Sequence, residues 1–121
     1  ATEGTVLEQI VPLVFLTLLL PALPLFAERE EVMFRAGAEH WSPVRRVRRA
    51  VEFGLVHALI GIPIGVALAL SIGGAYFTFM YLRGWHQTGS QAAAILESTR
   101  AHTAYNGLIV GLVLVAFAVG A

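Results

Sequence analysis

The sequence Glu30-Glu31-Val32-Met33-Phe34-Arg35 places two carboxylates and an arginine shortly after nineteen uncharged residues, 9–27. Ionisable side chains at membrane depth are costly, and where they persist they usually have a function. Glu31 and Arg35 are four residues apart and share one face of a helix, so they can form an ion pair. Glu30 points about 100° away and has no local partner. The pattern predicts one anchored carboxylate beside a free one, as a general base requires; a helix end in interfacial water is the alternative.

The composition around this stretch is that of an integral membrane protein. Of the 121 residues, 57% are hydrophobic and only 13% are charged, whereas a soluble domain carries about 25% charged residues. The chain has no cysteine, which excludes disulfides and thiolate metal sites. Its formal net charge is zero, so the overall charge does not indicate nucleic-acid binding, and we expect no nucleic-acid partner.

The first apolar run predicts a membrane-spanning helix over about residues 6–20 that continues to residue 26, since a span needs about 20 apolar residues. Pro21 and Pro24 should break or kink the far end of this helix, because each proline removes a backbone donor and disfavours helix just before it. We therefore expect a separate helix over residues 25–39 to carry the acidic stretch.

The second half of the chain predicts three more helices. Ser42-Pro43 has the pattern of a helix N-cap. The thirty residues 53–82 carry no formal charge and would extend about 45 Å as one helix, too long for a membrane core of about 30 Å. A turn at Gly61-Ile62-Pro63 divides them, which gives helices at 43–60 and 63–82. Residues 83–90 are then a polar connection, and residues 91–119 form the final helix.

The sequence thus predicts an all-α, polytopic membrane protein with about four transmembrane helices plus the short helix that carries the acidic stretch, in a single domain over residues 1–121. With four spans, all eight arginines fall on one side of the membrane. This distribution agrees with the positive-inside rule, places both termini outside the cytoplasm, and makes the four arginines at 45–49 an anchor against membrane lipid. We expect a multi-pass protein of a bacterial-type inner membrane, or of a thylakoid or plasma membrane.

His57 and His102 are predicted to lie at similar depths in the membrane. His57 is fourteen residues beyond the first residue of its helix, and His102 is twelve beyond the N-cap of its own, or about 21 Å and 18 Å from the same side. Phe53 and Asn106 lie four residues from these histidines and share their faces. A single histidine in a span is often a hydrogen-bonded packing residue, but two at matching depth favour a functional site.

Three motifs occur in order along the chain: Glu30-Glu31-x-x-x-Arg35, Phe53-x-x-x-His57 and His102-x-x-x-Asn106. They resemble the three motifs of the CPBP family, which contains the CAAX prenyl endopeptidases and the bacteriocin-processing or self-immunity membrane proteins, also called the ABI family. The resemblance covers residues 30–106. Members of the family usually carry further spans before the first motif, so this chain resembles an N-terminally shortened core of the CPBP domain.

The resemblance implies an intramembrane protease, a hydrolase that cleaves a peptide or lipidated-peptide substrate at the membrane. In such enzymes the first glutamate and the histidine of the second motif activate a water molecule that attacks the scissile carbonyl. On this basis Glu30 is the base, His57 positions the water, and His102 with Asn106 stabilises the oxyanion. The residues expected to support these four are Glu31, Arg35 and Phe53.

Two alternatives stay open. One carboxylate and two histidines are also a ligand set for zinc with one open position. We expect no cofactor, because Asn106 is a poor zinc ligand and a good oxyanion donor, but zinc bound by Glu30, His57 and His102 is not excluded. The second alternative is a non-catalytic subunit or scaffold of a larger membrane complex, in which the histidines ligate haem or chlorophyll. Pigment ligation leaves the paired glutamates and Asn106 without a role.

Overall fold

The computed structural model describes residues 4–120, which form five α-helices and no β-strand. The α-helices are α1 (Leu7–Leu19), α2 (Leu23–Arg35), α3 (Pro43–Val56), α4 (Ile64–Thr88) and α5 (Gln91–Ala118). Short 3-10 helices at Leu20–Ala22, Ala38–His40 and His57–Ile60 extend or connect them. The predicted all-α class is confirmed.

Three helical stretches are long and apolar enough to cross a membrane. They are Leu7–His40, Ile64–Thr88 and Gln91–Ala118. The helix predicted at 43–60 is not among them, because α3 has only 14 residues and carries four arginines and Glu52 within its first ten. The structure thus agrees with a membrane protein, while the predicted count of about four spans is not confirmed.

The predicted break near Pro21 and Pro24 is present, because α1 ends at Leu19 and α2 begins at Leu23, although α2 ends at Arg35 and not at residue 39. Leu20–Ala22 forms a 3-10 turn between α1 and α2, and the backbone stays in the right-handed helical region through Leu23. Each proline lies in the first turn of its segment, where its missing N–H group is not required. The acidic stretch is therefore carried on a helical continuation of the first apolar run.

The predicted polar connection over residues 83–90 is also wrong, because α4 continues to Thr88. Gly89 ends the helix with a left-handed φ of 66°, and the Ser90 hydroxyl accepts a hydrogen bond from the backbone N–H of Ala93 to cap α5. Polar side chains are well accommodated on a helix surface, so their presence did not mark a loop. The turn between the two helices consists of two residues.

The helices pack in the spatial order α3, α4, α5, α2, and α1 contacts α5 without burying any of its own residues. Small residues allow close approach of helices. A Cβ atom on Gly54 of α3 would collide with the backbone of Ala67 and Ser71 in α4. A Cβ atom on Gly84 of α4 would lie 3.0 Å from the Cα of Ala94 in α5. These glycines allow the close packing that brings residues of three helices around one site.

The turn between α2 and α3 is attached to α4 by Tyr81. The Tyr81 hydroxyl donates a hydrogen bond to the carboxylate of Glu39 at 2.6 Å and accepts one from the backbone N–H of Gly37 at 3.2 Å. Arg46 of α3 donates to the carbonyl of Ala38 at 3.0 Å. These bonds hold the end of α2 beside the start of α3.

Candidate active site

Glu30, on α2, lies beside two histidines that come from other parts of the chain. Its Oε2 atom is 3.2 Å from Nε2 of His102, and its Oε1 atom is 3.9 Å from Nε2 of His57. The first distance allows a direct hydrogen bond. The second is longer than a direct hydrogen bond and suits a bridging water. The two histidines that the sequence analysis placed at similar depth therefore converge on Glu30.

His57 lies at the end of α3, where the helix tightens into the 3-10 helix His57–Ile60. Its Nδ1 atom is 2.6 Å from the carbonyl oxygen of Phe53. Because a carbonyl oxygen only accepts hydrogen bonds, this contact assigns the proton to Nδ1. In the neutral ring, Nε2 then presents a lone pair towards Glu30.

His102, on α5, is 3% exposed, and aromatic rings restrict its orientation. Phe77 of α4 stacks on the imidazole with ring centroids 4.5 Å apart at 15°, and Phe53 contacts it edge-on at 5.5 Å. Nδ1 of His102 is 3.6 Å from Oε2 of Glu31, beyond the range of a hydrogen bond. The packing directs Nε2 of His102 towards Glu30.

Glu31 and Arg35 form the predicted ion pair, with Nη1 2.9 Å from Oε2 and side chains that are 0% and 1% exposed. The contact is close but is not directed as a hydrogen bond. Arg35 also donates from Nη2 to the carbonyl of Gly74 at 2.8 Å, and its guanidinium lies 4.3 Å from the Phe53 ring centroid. A Cβ atom on Gly74 would lie 2.9 Å from Nη2, so this glycine gives the guanidinium its space.

A cavity of about 330 Å³ begins at this cluster. Its walls are formed by Leu23, Glu30, Phe53, His57, Ile62, Val66, Leu70, Phe77, His102, Tyr105, Asn106, Ile109 and Val110. The four residues predicted to be catalytic all line it, and Phe53 lies among them, while Glu31 and Arg35 are not part of its wall. Within residues 4–120, no hydrogen bond engages the Asn106 amide. The cavity combines a few polar groups with an apolar surface, the usual make-up of a ligand site.

Glu30, His57 and His102 are also the side chains expected to bind zinc if the site is a metal centre. Zinc is held by nitrogen and oxygen ligands about 2.0–2.2 Å from the ion, most often four in number. Within the described part of the chain, no group of three or more His, Asp or Glu side chains has an arrangement that could hold a metal ion. Glu30 lies 3.2 Å from His102 and 3.9 Å from His57, but the three described side chains do not form a group that could hold a metal ion.

Sequence reasoning missed three residues that shape the site, Gly74, Phe77 and Tyr105. Gly74 and Phe77 lie in the long uncharged tract, where no polar residue marks the inward face. Glycine inside an apolar helix was a usable signal for Gly74, because small residues mark close helix contacts. Tyr105 is three residues beyond His102 and so lies on a neighbouring part of the same helix face.

Comparison of the chain with protein-family models, curated proteins and solved structures finds no match.

Proposed function

We propose that this chain is an intramembrane endopeptidase of the CPBP type, which hydrolyses a peptide bond in a membrane-associated peptide or lipidated peptide. The observation that carries the proposal is the approach of the Glu30 carboxylate to both His57 and His102 beside a cavity that Asn106 also lines. A general base must act within hydrogen-bond reach of its target or through one water, and the 3.9 Å between Glu30 Oε1 and His57 Nε2 leaves room for a water between them.

Glu30 and His57 activate the water in this proposal. An ionised carboxylate accepts hydrogen bonds only, and Nε2 of a neutral His57 with its proton on Nδ1 is likewise an acceptor. A water between them donates one hydrogen to each, which directs an oxygen lone pair into the cavity. Glu30 takes the proton as the oxygen attacks the scissile carbonyl, so that a C–O bond forms and the carbonyl π electrons move onto the carbonyl oxygen. When this tetrahedral intermediate collapses, the C–N bond breaks and Glu30 returns the proton to the leaving nitrogen, which departs as an amine.

Asn106 stabilises the negative charge that develops on the carbonyl oxygen. The N–H group at Nε2 of His102 lies against Glu30 at 3.2 Å before the reaction and turns to the carbonyl oxygen once Glu30 has taken the proton from water and become a weaker acceptor. Preorganised donors in a site from which water is largely excluded give large stabilisation of an oxyanion. The side chains are four residues apart on α5, so they lie on one face at neighbouring heights. Stacking by Phe77 holds the His102 ring in place, and the Asn106 amide has no competing partner in the described chain.

The proposed enzyme crosses the membrane four times, with α3 and the 3-10 helix His57–Ile60 together making the second crossing. These segments contain 14 and four residues, which give about 21 Å of α-helix and about 8 Å of 3-10 helix. Because four arginines and Glu52 occupy the first ten residues of α3, part of this length lies at the interface, and the second crossing is shorter than a full hydrocarbon core and requires local thinning of the bilayer. Four crossings place the arginine-rich start of α3 and Arg100 of α5 on the cytoplasmic side, in a bacterial-type inner membrane or a related membrane.

The reaction proposed here uses no metal ion and no cofactor. Ligation of haem or chlorophyll, the alternative function, would need a histidine nitrogen free to reach the metal. Nε2 of both His57 and His102 faces Glu30, and Nδ1 of His57 is bonded to the Phe53 carbonyl. No specific contact therefore favours the pigment-binding function, which visible-range absorbance of the purified protein would reveal.

The proposal is tested by incubating the purified protein in lipid vesicles with a library of apolar peptides and identifying fragments by mass spectrometry. We expect defined cleavage products from the wild-type protein, no loss of product with EDTA, and no product from His57→Ala. Failure to cleave any peptide, or cleavage that EDTA abolishes and zinc restores, would contradict the metal-independent reaction.

A further inference from the structure

Arg48 and Arg49 are adjacent on α3 but differ in the groups that their guanidinium nitrogens contact. Both approach the carboxylate of Glu52, Arg48 at 3.6 Å and Arg49 at 2.9 Å. Nη2 of Arg49 also donates a hydrogen bond of 2.9 Å to the backbone carbonyl of Met33 in α2. The Arg48 side chain is 66% exposed, and within residues 4–120 its ion pair with Glu52 is its only polar contact. Arg49 therefore connects two helices, whereas Arg48 does not.

The Met33 carbonyl has no hydrogen-bond donor within its own helix. It lies in the last turn of α2, which ends at Arg35, and the last four carbonyls of an α-helix lack an intrahelical partner. The backbone N–H of Gly37, four residues further on, donates instead to the Tyr81 hydroxyl. A cation at the C-terminus of a helix also interacts favourably with the helix dipole. Arg49 of α3 thus completes the hydrogen bonding at the end of α2.

The helices α2 and α3 have few other direct connections. They lie at the two ends of the spatial order α3, α4, α5, α2, so that α2 packs mainly on α5 and α3 mainly on α4. The ring of Phe34 in α2 meets the ring of Phe53 in α3 edge-on, with centroids 5.3 Å apart. The Arg49 guanidinium lies 5.1 Å from the Phe34 ring centroid. Arg49 and this aromatic pair together hold the end of α2 against α3.

The two connected helices hold Glu30 and His57 on opposite sides of the attacking water. Glu30 is three residues before Met33, and Arg49, Phe53 and His57 follow one another at spacings of four along one face. The 3.9 Å between Glu30 Oε1 and His57 Nε2 therefore depends on how α2 lies relative to α3. We propose that Arg49 is a positioning residue, which fixes this separation by joining the end of α2 to α3. Its effect on rate rests on the proposed function, whereas its effect on the position of the helices does not.

The position of the helices is measured without any substrate. The chain has no cysteine, so Val32→Cys in α2 and Val56→Cys in α3, both at exposed positions, accept one spin label each. In lipid vesicles we expect Arg49→Gln to broaden the distribution of distances between the labels or to shift it to larger values. The matched control Arg48→Gln should give the distribution of the labelled parent protein. The same distribution in all three proteins would overturn the proposal.

The effect on catalysis is measured in the peptide-cleavage assay. Arg49→Gln should lower kcat by as much as about 10²-fold, the cost of misplacing reacting groups by about 1 Å. KM should change little, because Arg49 does not line the cavity. Arg49→Lys should recover part of the rate, since an ammonium group can donate to the Met33 carbonyl but lacks the planar fork that binds two partners. Arg48→Gln should keep the wild-type kcat.

A merely structural role gives a different result. In that case Arg49→Gln would lower the yield or the melting temperature, while kcat of the folded fraction would equal that of the wild type, and this result would overturn the positioning role. If neither the wild type nor any variant cleaves peptide, the peptidase function fails, and the label distances still decide whether Arg49 fixes α2 against α3.

Discussion

The two adjacent glutamates of α2 lie in opposite environments. The Glu30 side chain is 38% exposed and lines the cavity, whereas the Glu31 side chain is fully buried against Arg35. A one-residue step on a helix turns a side chain by about 100°, which is enough to direct one carboxylate to the site and the other into the packing behind it. Substitution of Glu30 and substitution of Glu31 should therefore affect the stability of the protein differently.

We predict that Glu31→Gln lowers stability and yield, whereas Glu30→Gln does not. Removing the carboxylate from a buried pair leaves the Arg35 charge uncompensated, at a cost of about 3–5 kcal/mol. Melting temperatures and membrane yields of the two variants test this directly. Equal values for the two would show that the Glu31–Arg35 pair does not support the fold.

Asn106→Ala should slow peptide cleavage about 10²–10³-fold, the usual cost of one lost oxyanion donor. Since the Asn106 amide has no protein partner to leave unsatisfied, the melting temperature should change little. Single-turnover rates of the folded variant measure the effect. A rate within twofold of the wild type would remove Asn106 from the oxyanion site.

For individual residues, the sequence predicted contacts that depend on local spacing and missed contacts between residues that are distant in the sequence. The Glu31–Arg35 pair followed from an i, i+4 spacing, and the matching depths of His57 and His102 followed from counting along helices. The stacking of Phe77 on His102 and the space that Gly74 leaves for Arg35 depend on how α4 is rotated against its neighbours. The rotation of α4 cannot be predicted from the pattern of charged and polar residues, because this part of the helix has no charged residue.

At the scale of elements, the close crossing of α3 and α4 depends on the missing side chain of Gly54. We predict that Gly54→Ala destabilises the protein by about 1–3 kcal/mol, the usual cost of overpacking, because the added Cβ collides with backbone that cannot rotate away. Gly65→Ala is the matched control, since its Cβ would enter open space. Melting curves of both variants in one detergent measure the difference, and similar losses would indicate a general effect of replacing glycine.

Helix boundaries were predictable where a cap or turn residue set them and not where polarity was the guide. The Ser42 hydroxyl accepts from the backbone N–H of Arg45 as an N-cap, and Gly61 makes its turn with φ of 94°, both as expected. The prolines after α1 coincide with the 3-10 turn that ends α1, as expected, whereas the polar end of α4 stayed helical until Gly89. Backbone geometry, rather than side-chain polarity, decided these positions.

At the scale of the whole molecule, the path of α3 determines the topology. We predict that reporters fused after Ala121 or inserted at Gly61-Ile62 lie outside the cytoplasm, and that one inserted at Gly89-Ser90 lies inside. This follows from four crossings with the arginines on the cytoplasmic side. If α3 did not cross and its arginines stayed in the cytoplasm, all three reporters would take the opposite locations. A fourth reporter inserted at Gly37-Ala38 locates that turn, and with it the series distinguishes three spans from four.

The proposed role of Glu30 as the general base is tested most directly by two variants. The rate of peptide cleavage is measured for Glu30→Gln and compared with the rate for Glu28→Gln. Both variants remove one carboxylate from α2, but Glu28 is exposed and does not line the cavity. Loss of a general base lowers a rate by about 10²–10⁴-fold. We expect Glu30→Gln to lose activity by at least this range with an unchanged melting temperature, while Glu28→Gln cleaves at the wild-type rate. Equal cleavage by the two folded variants would contradict the assignment of Glu30 as the base.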